Sequence, residues 1–385
     1  MTVTIGIDYT AAVHQSAGIG RYTREIVKGL ARFGALPSFT PCYRLFVADV
    51  GKDFGLPPPA ANFTWRTTRF TERWLARLWY RLRLPVSIES WTGPLDLFHA
   101  PDFILPPLRR GTRSIVTIHD LSFVREPDLV MPGMDRHLNK WVLWSVQQAS
   151  RVIAVSEATR QDLIELYQTP PEKISVLYHG VGPEFKPIRE TACLKAVRQK
   201  YGLNDQPFVL SVGTIQPRKN YQRLIQAFAK VDTKAILVIA GGAGWKNKAI
   251  FDEVKTLGLQ ERVRFPGFVA EADLPALYSA ATLVIYPSLY EGFGLPVLEA
   301  MACGAPVIAS NRSSLPEVVG EAGLLIDPYD TDSMATAMGQ LLEDGSLRAS
   351  LAQAGQTRAG QFTWSKTAAE LVNLYKKIIE EEIDG

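Results

Sequence analysis

The sequence predicts an α/β protein made of two doubly wound halves, each with a parallel β-sheet. Short apolar runs alternate with helical patterns along the whole chain, as strand–helix–strand units require. Several predicted strands, such as residues 236–239, are apolar on both faces, which is typical of parallel strands covered by helices on both sides. The length of 385 residues suits two domains of ordinary size. We therefore expect two facing domains with a cleft between them.

The first half begins with an apolar strand over Val3–Asp8 and an amphipathic helix over Gly20–Phe33. Further apolar runs predict the strands Tyr43–Ala48, Asp96–Ala100, Ser114–Asp120, Arg151–Ser156 and Lys173–His179. Ligands of such sheets bind beyond the carboxyl ends of the strands, so functional residues are expected directly after these runs.

A second series of the same kind follows a break between Val181 and Lys200. Its predicted strands are Phe208–Thr214, Ala235–Ala240, Val263–Phe265, Thr282–Tyr286 and Pro306–Ser310. Its predicted helices are Ala192–Tyr201, Asn220–Val231, Leu274–Ala281 and Leu295–Ala302. We assign residues 1–185 to the N-terminal domain and 186–364 to the C-terminal domain. Residues 365–385 form a final amphipathic helix that could pack on either half.

The composition excludes several classes of protein. Hydrophobic residues make up 46% and the net charge is +3, which excludes a disordered chain. Residues 1–185 carry 21 Lys/Arg and 17 Asp/Glu, too small an excess for a nucleic-acid-binding surface. The sequence has no uninterrupted apolar run long enough to predict a transmembrane helix, and its start lacks a signal-peptide pattern. Because the three cysteines show no disulfide or metal spacing, we expect a cytoplasmic protein.

The segment from Glu291 to Glu299 is the first chemical motif. It follows a predicted strand, and its two glycines allow a sharp turn and close approach to a ligand. Free amides at the following helix start would bind phosphate oxygens. Glu299 lies in a very apolar helix, where a carboxylate needs polar partners such as ligand hydroxyls. The alternative is that both glutamates are solvated surface residues.

Arg218 and Lys219, in the segment 213–220, form the second motif. They stand where a helix begins, an end that already carries partial positive charge. A bound diphosphate would remove this conflict, since Arg binds it through a fork and Lys as a point charge. Asn220 is the predicted helix cap. The alternative is a solvated basic turn.

Weaker signals occur in the first half. The segment 16–22 contains Gly18-Ile19-Gly20 at a helix start but lacks the third glycine of a dinucleotide fingerprint. It could bind a phosphate through backbone amides or be a plain turn. His119 ends a predicted strand and could serve either a ligand or the structure. In the second half, Asp330-Thr331-Asp332 has a metal-binding spacing, but Asp330 is better explained as a helix cap.

The segment from Gly213 to Asp327 resembles the retaining nucleotide-sugar glycosyltransferases of family 4, also called glycosyltransferase group 1. These enzymes have the GT-B fold of two facing Rossmann-like domains. Glu291 and Glu299 occupy the positions of the family's E-x7-E signature. The matching segments are 213–220, 267–269 and 286–300 and, more weakly, 17–22, 119–120 and 155–159. The resemblance implies that the C-terminal helix packs back on the N-terminal domain.

The resemblance also implies roles for individual residues. Donor-binding roles fall on Gly18, Gly213, Arg218, Lys219, Val269, Glu291, Phe293, Gly294, Leu295 and Glu299. Among them, Glu299 would hold the ribose hydroxyls, Glu291 would contact the donor sugar, and the two cations would neutralise the diphosphate. Catalytic roles fall on His119, Glu291, Arg218 and Lys219. The amides of residues 293–295 and Gly18 would face donor oxygens, and the backbone of Val269 would meet the base.

The activity implied by the resemblance is retaining, metal-independent hexosyl transfer without a cofactor. The donor would be a nucleoside diphosphate sugar, with GDP-mannose as the first candidate. The acceptor would be a saccharide or a lipid-linked saccharide in surface polysaccharide or glycolipid synthesis. The alternatives are another GT-B enzyme, such as a nucleotide-sugar epimerase, and a non-enzymatic two-domain sugar-binding protein.

Residues 64–84 contain six arginines and one acid, Glu72. In a helix, one stripe would hold Arg73, Arg77 and Arg81, and another Trp74, Leu75, Leu78, Trp79 and Leu82. A basic amphipathic helix with aromatic residues can lie on an anionic membrane, here the inner face. The alternative is a surface helix packed on its own domain, with solvated arginines.

Overall fold

The computed structural model describes residues 2–15, 18–33, 39–51, 55–82, 84–130, 134–203 and 205–381. These residues form two compact units. Unit 1 is drawn from Met1–Val124, Gly133–Gly180 and Trp364–Gly385, and unit 2 from Arg125–Pro132 and Val181–Thr363. Each unit has one parallel sheet with helices packed against it.

The sheet of unit 1 has seven parallel strands in the order β3-β2-β1-β4-β5-β6-β7. They are β1 (Thr2–Asp8), β2 (Thr40–Val47), β3 (Phe63–Thr67), β4 (Leu97–Ala100), β5 (Arg113–Ile118), β6 (Arg151–Ala154) and β7 (Ile174–Val176). The strand order reverses between β1 and β4, where Ile7 pairs with His99. The end of β1 therefore lies at a switch point, the usual position of a ligand in such sheets.

The sheet of unit 2 has six parallel strands in the order β10-β9-β8-β11-β12-β13. They are β8 (Phe208–Val212), β9 (Ile236–Ala240), β10 (Val263–Gly267), β11 (Leu283–Tyr286), β12 (Val307–Ser310) and β13 (Leu324–Ile326). Strands β8, β9, β11 and β12 are almost entirely buried because helices cover both faces. The switch point lies between β8 and β11.

Helices connect most of these strands. In chain order they are α1 (Thr10–His14), α2 (Ile19–Phe33), α3 (Glu72–Ala76), α4 (Glu89–Thr92), α5 (Ser122–Arg125), α6 (Met134–Gln148), α7 (Glu157–Tyr167), α8 (Thr191–Lys200), α9 (Tyr221–Ala229), α10 (Lys248–Thr256), α11 (Leu274–Ala280), α12 (Leu295–Ala302), α13 (Leu315–Val319), α14 (Thr331–Glu343), α15 (Gly345–Ala359) and α16 (Trp364–Glu380). A π-helix, Arg77–Arg81, continues α3. Short 3₁₀ turns occur at Pro127–Leu129, Pro171–Lys173, Pro217–Lys219 and Glu271–Asp273.

The last helix, α16, packs on α2 of unit 1. Its buried side includes Leu371, Leu374, Tyr375 and Ile378, the residues whose spacing predicts the helix. The Tyr375 hydroxyl lies 2.7 Å from His99 Nδ1, and Thr367 Oγ1 donates to the Tyr178 carbonyl at 2.7 Å. Residues 382–385 of the predicted helix lie outside the described residues.

The predicted strands are present, with ends that differ by a few residues. Strand β5 ends at Ile118 rather than Asp120, so His119 lies in the loop that follows. Two short edge strands, β3 and β13, were not predicted from the sequence. Asp330 caps α14, its Oδ1 accepting bonds from the amides of Asp332 and Ser333 at 2.9 and 3.0 Å.

The amphipathic helix expected within residues 64–84 is only partly present. Residues 64–67 belong to β3, and helical structure is confined to α3 and the π-helix that follows it. The two stripes are not separated either. Trp74 and Leu82 are exposed together with Arg73, Arg77 and Arg81, whereas Leu75 and Trp79 are buried. Arg83 lies outside the described residues.

Among the described residues, no helix is both long enough and apolar enough to cross a membrane.

Candidate active site

The two strongest motifs lie at one edge of the unit 2 sheet. The turn 213–220 follows β8, and the turn 287–294 follows β11, its neighbour across the switch point. Because both strands are parallel, their carboxyl ends meet at the same edge. Backbone bonding joins the two turns directly, since the Leu289 amide donates to the Arg218 carbonyl at 2.9 Å.

Glu291 is bound by both cations of the neighbouring turn. Lys219 Nζ donates to Glu291 Oε1 at 2.7 Å, and Arg218 Nη1 donates to Glu291 Oε2 at 2.9 Å. Arg218 Nη1 also donates to the Tyr290 carbonyl at 2.7 Å. Three charged side chains thus converge at the switch point, with one carboxylate between two cations.

The charge state of this group follows from its surroundings. Glu291 is buried, and burial alone would raise its pKa. The positive charges of Arg218 and Lys219 outweigh that effect and lower the pKa to about 2. Glu291 is therefore ionised at neutral pH, and the three side chains together keep one net positive charge. Such a site favours an anion.

Tyr286 also belongs to this group, although the sequence did not single it out. Lys219 Nζ donates to the Tyr286 hydroxyl at 2.5 Å and lies 4.7 Å from the centre of its ring. Tyr286 is the last residue of β11 and is fully buried. The sequence contained one signal for it. Tyr286 is a tyrosine at the end of an apolar strand, and the turn that carries Glu291 follows that strand.

Asn220 occupies the predicted N-cap position of α9, but its side chain does not cap the helix. Its backbone is left-handed, with φ of 61°, and its side chain makes no capping bond. Instead, Nδ2 donates to the carbonyl oxygens of Pro287 and Pro328 at 3.1 and 2.6 Å. The side chain therefore joins the turn of Arg218 and Lys219 to two other loops at this edge.

Gly213 is required by close packing. Its φ is 156°, and a Cβ there would lie 3.1 Å from Lys219 Cε and 3.0 Å from the Tyr221 hydroxyl. A Cβ on Gly241, after β9, would lie only 2.0 Å from the Gly213 carbonyl oxygen. Glycine at both positions lets the two loops touch and leaves room for the Lys219 side chain.

The loop of Glu291 leads into α12 through Gly294, whose φ is +109°. Phe293 is buried against Phe362, and Leu295 begins the helix. Two serines that were not predicted from the sequence hold the backbone of this loop. Ser314 Oγ lies 3.0 and 2.9 Å from the carbonyl oxygens of Glu291 and Phe293, and Ser313 Oγ bonds the Glu291 backbone.

Glu299 lies one turn inside α12 and is buried. Its Oε2 accepts a hydrogen bond from the Tyr278 hydroxyl of α11 at 3.2 Å. Val269 follows β10 and is also buried, next to Phe268, which is exposed. The described contacts thus place Arg218, Lys219 and Glu291 in one bonded group and give Glu299 a separate partner.

In unit 1, the predicted residues lie near the carboxyl edge of its sheet. Gly18 directly precedes α2, and its φ is +55°. Ser16 and Ala17 of the same motif lie outside the described residues. His119 follows β5, and its Nε2 lies 2.7 Å from the Pro101 carbonyl oxygen. Nε2 must therefore carry the proton, which leaves Nδ1 as an acceptor.

Packing keeps His119 neutral. Its ring meets Tyr22 and Phe103 edge-on, with centroids 4.9 and 5.4 Å away. Burial lowers the pKa of His119 to about 4, although its bond to Pro101 and the nearby Asp120 charge oppose the shift. His99 has a structural role, since both ring nitrogens bond to buried hydroxyls, those of Tyr375 and Thr117.

Two solved structures resemble this chain over nearly its full length. Sucrose-phosphate synthase from Thermosynechococcus elongatus has a TM-score of 0.76 at 22% identity, with 98% of this chain and 100% of that chain covered. Anabaena HepE in complex with UDP and glucose has a TM-score of 0.75 at 21% identity, with 98% and 100% covered. The fold is that of the GT-B glycosyltransferases, with two Rossmann-like units.

The sequence comparisons give the family. Residues 195–358 match the family described as glycosyl transferases group 1, and residues 16–185 match glycosyltransferase family 4. O-antigen chain mannosyltransferase B of Escherichia coli is 34% identical over 368 residues, covering 93% of this chain and 96% of that protein. This chain belongs to the group 1 glycosyltransferases.

Proposed function

We propose that the chain transfers a hexose, best supported as mannose, from a nucleoside diphosphate sugar to a saccharide or lipid-linked acceptor. The reaction would belong to surface polysaccharide or glycolipid synthesis. The bonded group of Arg218, Lys219 and Glu291 at the unit 2 switch point is the observation that carries the proposal. The choice of mannose and of a polysaccharide product rests on the likeness to the E. coli O-antigen mannosyltransferase.

The charges of the group suit a departing nucleoside diphosphate. Breaking the anomeric C–O bond leaves negative charge on the diphosphate and positive character on the sugar. Arg218 and Lys219 are already oriented by Glu291, so little reorganisation is needed to stabilise that charge. The ionised Glu291 can at the same time accept hydrogen bonds from donor-sugar hydroxyls. Because the two cations supply the positive charge, we infer that transfer needs no metal ion or cofactor.

We infer retention of anomeric configuration through a front-face displacement. The donor C–O bond breaks, and the acceptor oxygen forms its bond to the anomeric carbon on the same face. The acceptor proton passes to the departing phosphate oxygen, so the step is balanced without an enzymatic base. In this scheme His119 is a neutral contact for the transferred sugar, and the Gly18 amide faces donor oxygens.

The remaining donor contacts follow the family assignments. Glu299 would hold the ribose hydroxyls, the Val269 backbone would meet the base, and amides from Phe293 to Leu295 would face donor oxygens. Gly213 would let the diphosphate approach the backbone closely. We place the enzyme in the cytoplasm, where nucleoside diphosphate sugars are made, with access to the inner face of the membrane.

A donor screen followed by product analysis tests the proposal. We expect GDP and GDP-mannose to raise the melting temperature more than UDP or UDP-glucose. We then expect mannosyl transfer to a saccharide acceptor, with an α-anomeric product by NMR and an unchanged rate in EDTA. Epimerisation of the donor without transfer would contradict the proposed function and indicate an epimerase. Sugar binding without turnover would indicate a non-enzymatic sugar-binding protein. A β-anomeric product would refute retention, and loss of activity in EDTA would refute metal independence.

A further inference from the structure

Unit 1 carries an exposed surface in which apolar and basic side chains are mixed. It lies on the loop before α3, on α3 itself, on the π-helix after it and on the residues that directly follow that π-helix. We call this surface the basic aromatic patch, and its members are Arg69, Phe70, Arg73, Trp74, Arg77, Arg81, Leu82 and Leu84.

The apolar members are unusually open to water. Phe70, Trp74, Leu82 and Leu84 are 55, 57, 61 and 43% exposed. They are four of the ten exposed large hydrophobic side chains among the described residues, yet they fall within 15 consecutive positions. Scattered exposed apolar residues need no explanation, but a local concentration marks a contact surface.

The charges of the patch are nearly all positive. Arg69, Arg73, Arg77 and Arg81 are exposed, and Glu72 is the only acid between them. Among the described residues, none forms an ion pair with any of these four arginines. Arg77 lies over the Trp74 ring, with its guanidinium carbon 5.1 Å from the ring centre. The surface therefore offers unpaired guanidinium groups beside apolar side chains, a pattern that matches anionic headgroups above an acyl layer.

The inner side of the same segment is fully used for packing. Leu75 and Trp79 are buried, and Trp79 Nε1 donates to the Val86 carbonyl at 2.8 Å. The Tyr80 hydroxyl donates to the Leu105 carbonyl at 3.1 Å, and its ring lies 4.6 Å from Trp141. The segment is thus anchored to unit 1, and its own domain does not cover the outer side.

We propose that the basic aromatic patch docks unit 1 onto an anionic phospholipid bilayer. The arginines bind lipid phosphates, and Phe70, Trp74 and Leu82 enter the interface between headgroups and acyl chains. The inference goes beyond sugar transfer and does not depend on it, because vesicle binding is measured without donor or acceptor.

The patch also lies near the carboxyl edge of the unit 1 sheet. Strand β2 ends at Val47, and the amide of Asp49, two residues later, donates to the Phe70 carbonyl at 2.9 Å. Strand β3 ends at Thr67, three residues before Phe70. The loop before α3 therefore begins at this edge. Docking through the patch would therefore hold that edge near the bilayer surface.

Vesicle co-sedimentation of the full chain tests the proposal. Wild type should sediment with vesicles that contain phosphatidylglycerol at low salt, and high salt should release it. It should not sediment with vesicles of pure phosphatidylcholine. R73Q/R77Q/R81Q should lower the partition coefficient about 100-fold, since each arginine near an anionic surface contributes about a factor of 5. F70S/W74S/L82S should lower it about 10-fold or more at low salt.

The matched control is R32Q/R110Q/K140Q, which removes three exposed cations of unit 1 outside the patch. It should bind vesicles within about 3-fold of wild type, whereas equal losses in both charge variants would show general charge attraction and overturn the proposal. Unchanged melting temperatures would show that the variants fold. Absent wild-type binding, or equal binding to neutral vesicles, would also overturn it. The proposal would also be overturned if the wild-type chain did not bind vesicles but self-associated, and if the patch variants abolished that self-association.

Discussion

Lys219 is a buried lysine whose ammonium group donates to the Glu291 carboxylate and to the Tyr286 hydroxyl. A buried ammonium is unfavourable unless it is paired and hydrogen-bonded. Here the pairing fixes the position of Nζ before any ligand binds. The sequence identified Arg218, Lys219 and Glu291 as candidates, but it did not show that they bond to one another, because more than 70 residues separate Lys219 from Glu291.

Replacing Lys219 with methionine keeps the length of the side chain and removes its charge. We expect K219M to lower kcat about 100-fold or more, because it removes one fixed positive group facing the departing diphosphate. Steady-state kinetics with the identified donor provide the measurement. K230M, at an exposed lysine paired with Asp332, is the matched control and should behave as wild type. A wild-type kcat for K219M would contradict the assigned role.

Tyr286 is a positioning residue in this scheme, since it acts through Lys219. We expect Y286F to lower kcat about 10-fold with little change in donor KM, because the variant loses one hydrogen bond to a charged group. Y329F alters an exposed tyrosine and serves as the control. An increase in KM with unchanged kcat would mean that Tyr286 contributes to donor binding instead.

The C-terminal helix shows what sequence patterns predict at the scale of an element. The spacing of Leu371, Leu374, Tyr375 and Ile378 predicted α16 and its buried side. Periodicity did not indicate the partner surface, which is α2 of unit 1. The choice depends on matching shapes and on single polar bonds such as that between Tyr375 and His99.

Removing the Tyr375 hydroxyl should destabilise unit 1. Y375F would leave His99 Nδ1 buried without its partner, which costs about 1–3 kcal/mol. We expect the unit 1 transition in calorimetry to fall by about 2–10 °C. The control is Y9F in the same unit, because the Tyr9 hydroxyl makes no hydrogen bond among the described residues. Equal melting temperatures for Y375F and Y9F would contradict a stabilising role for the bond.

Residues 64–84 show where element prediction fails. The predicted helical stripes separated arginines from apolar residues that the structure exposes together. Residues Phe63–Thr67 pair with β2 as strand β3, a non-local interaction that the helical pattern of the following residues did not indicate. The π-helix shifts the following side chains relative to an ideal α-helix.

At the scale of the whole molecule, unit 1 contains opposing acid-sensitive groups. Burial lowers the pKa of His99 to about 3, that of His119 to about 4, and that of His179 well below its ordinary value. These histidines stabilise the fold fully above their unfolded pKa of about 6.5, and the contribution is lost as the pH falls. Burial raises the pKa of Asp8 to about 6 and that of Asp102 to about 7, which has the opposite effect.

Three histidines oppose two aspartates, so the unfolded state should bind about one more proton than the folded state between about pH 6 and 4.5. We expect the free energy of unfolding of unit 1 to fall by roughly 1 kcal/mol per pH unit in that range. D8N/D102N should steepen the fall about threefold, because only the histidines then titrate differently. Urea unfolding at several pH values provides the measurement. D49N, at an exposed aspartate, should keep the wild-type slope, and an unchanged slope in D8N/D102N would contradict these pKa directions.

The sequence by itself determined the α/β class, most strands of both sheets and the turns that carry the candidate site. Alternating apolar runs record which residues are buried, and glycines, prolines and charged residues mark the turns between strands. Only the tertiary structure decided that Glu291 joins Lys219 and Arg218, that Tyr286 completes the group, and that Trp74 and Leu82 share a surface with arginines. These relations arise between distant segments once parallel strands bring their carboxyl ends together, and no local pattern encodes such a contact.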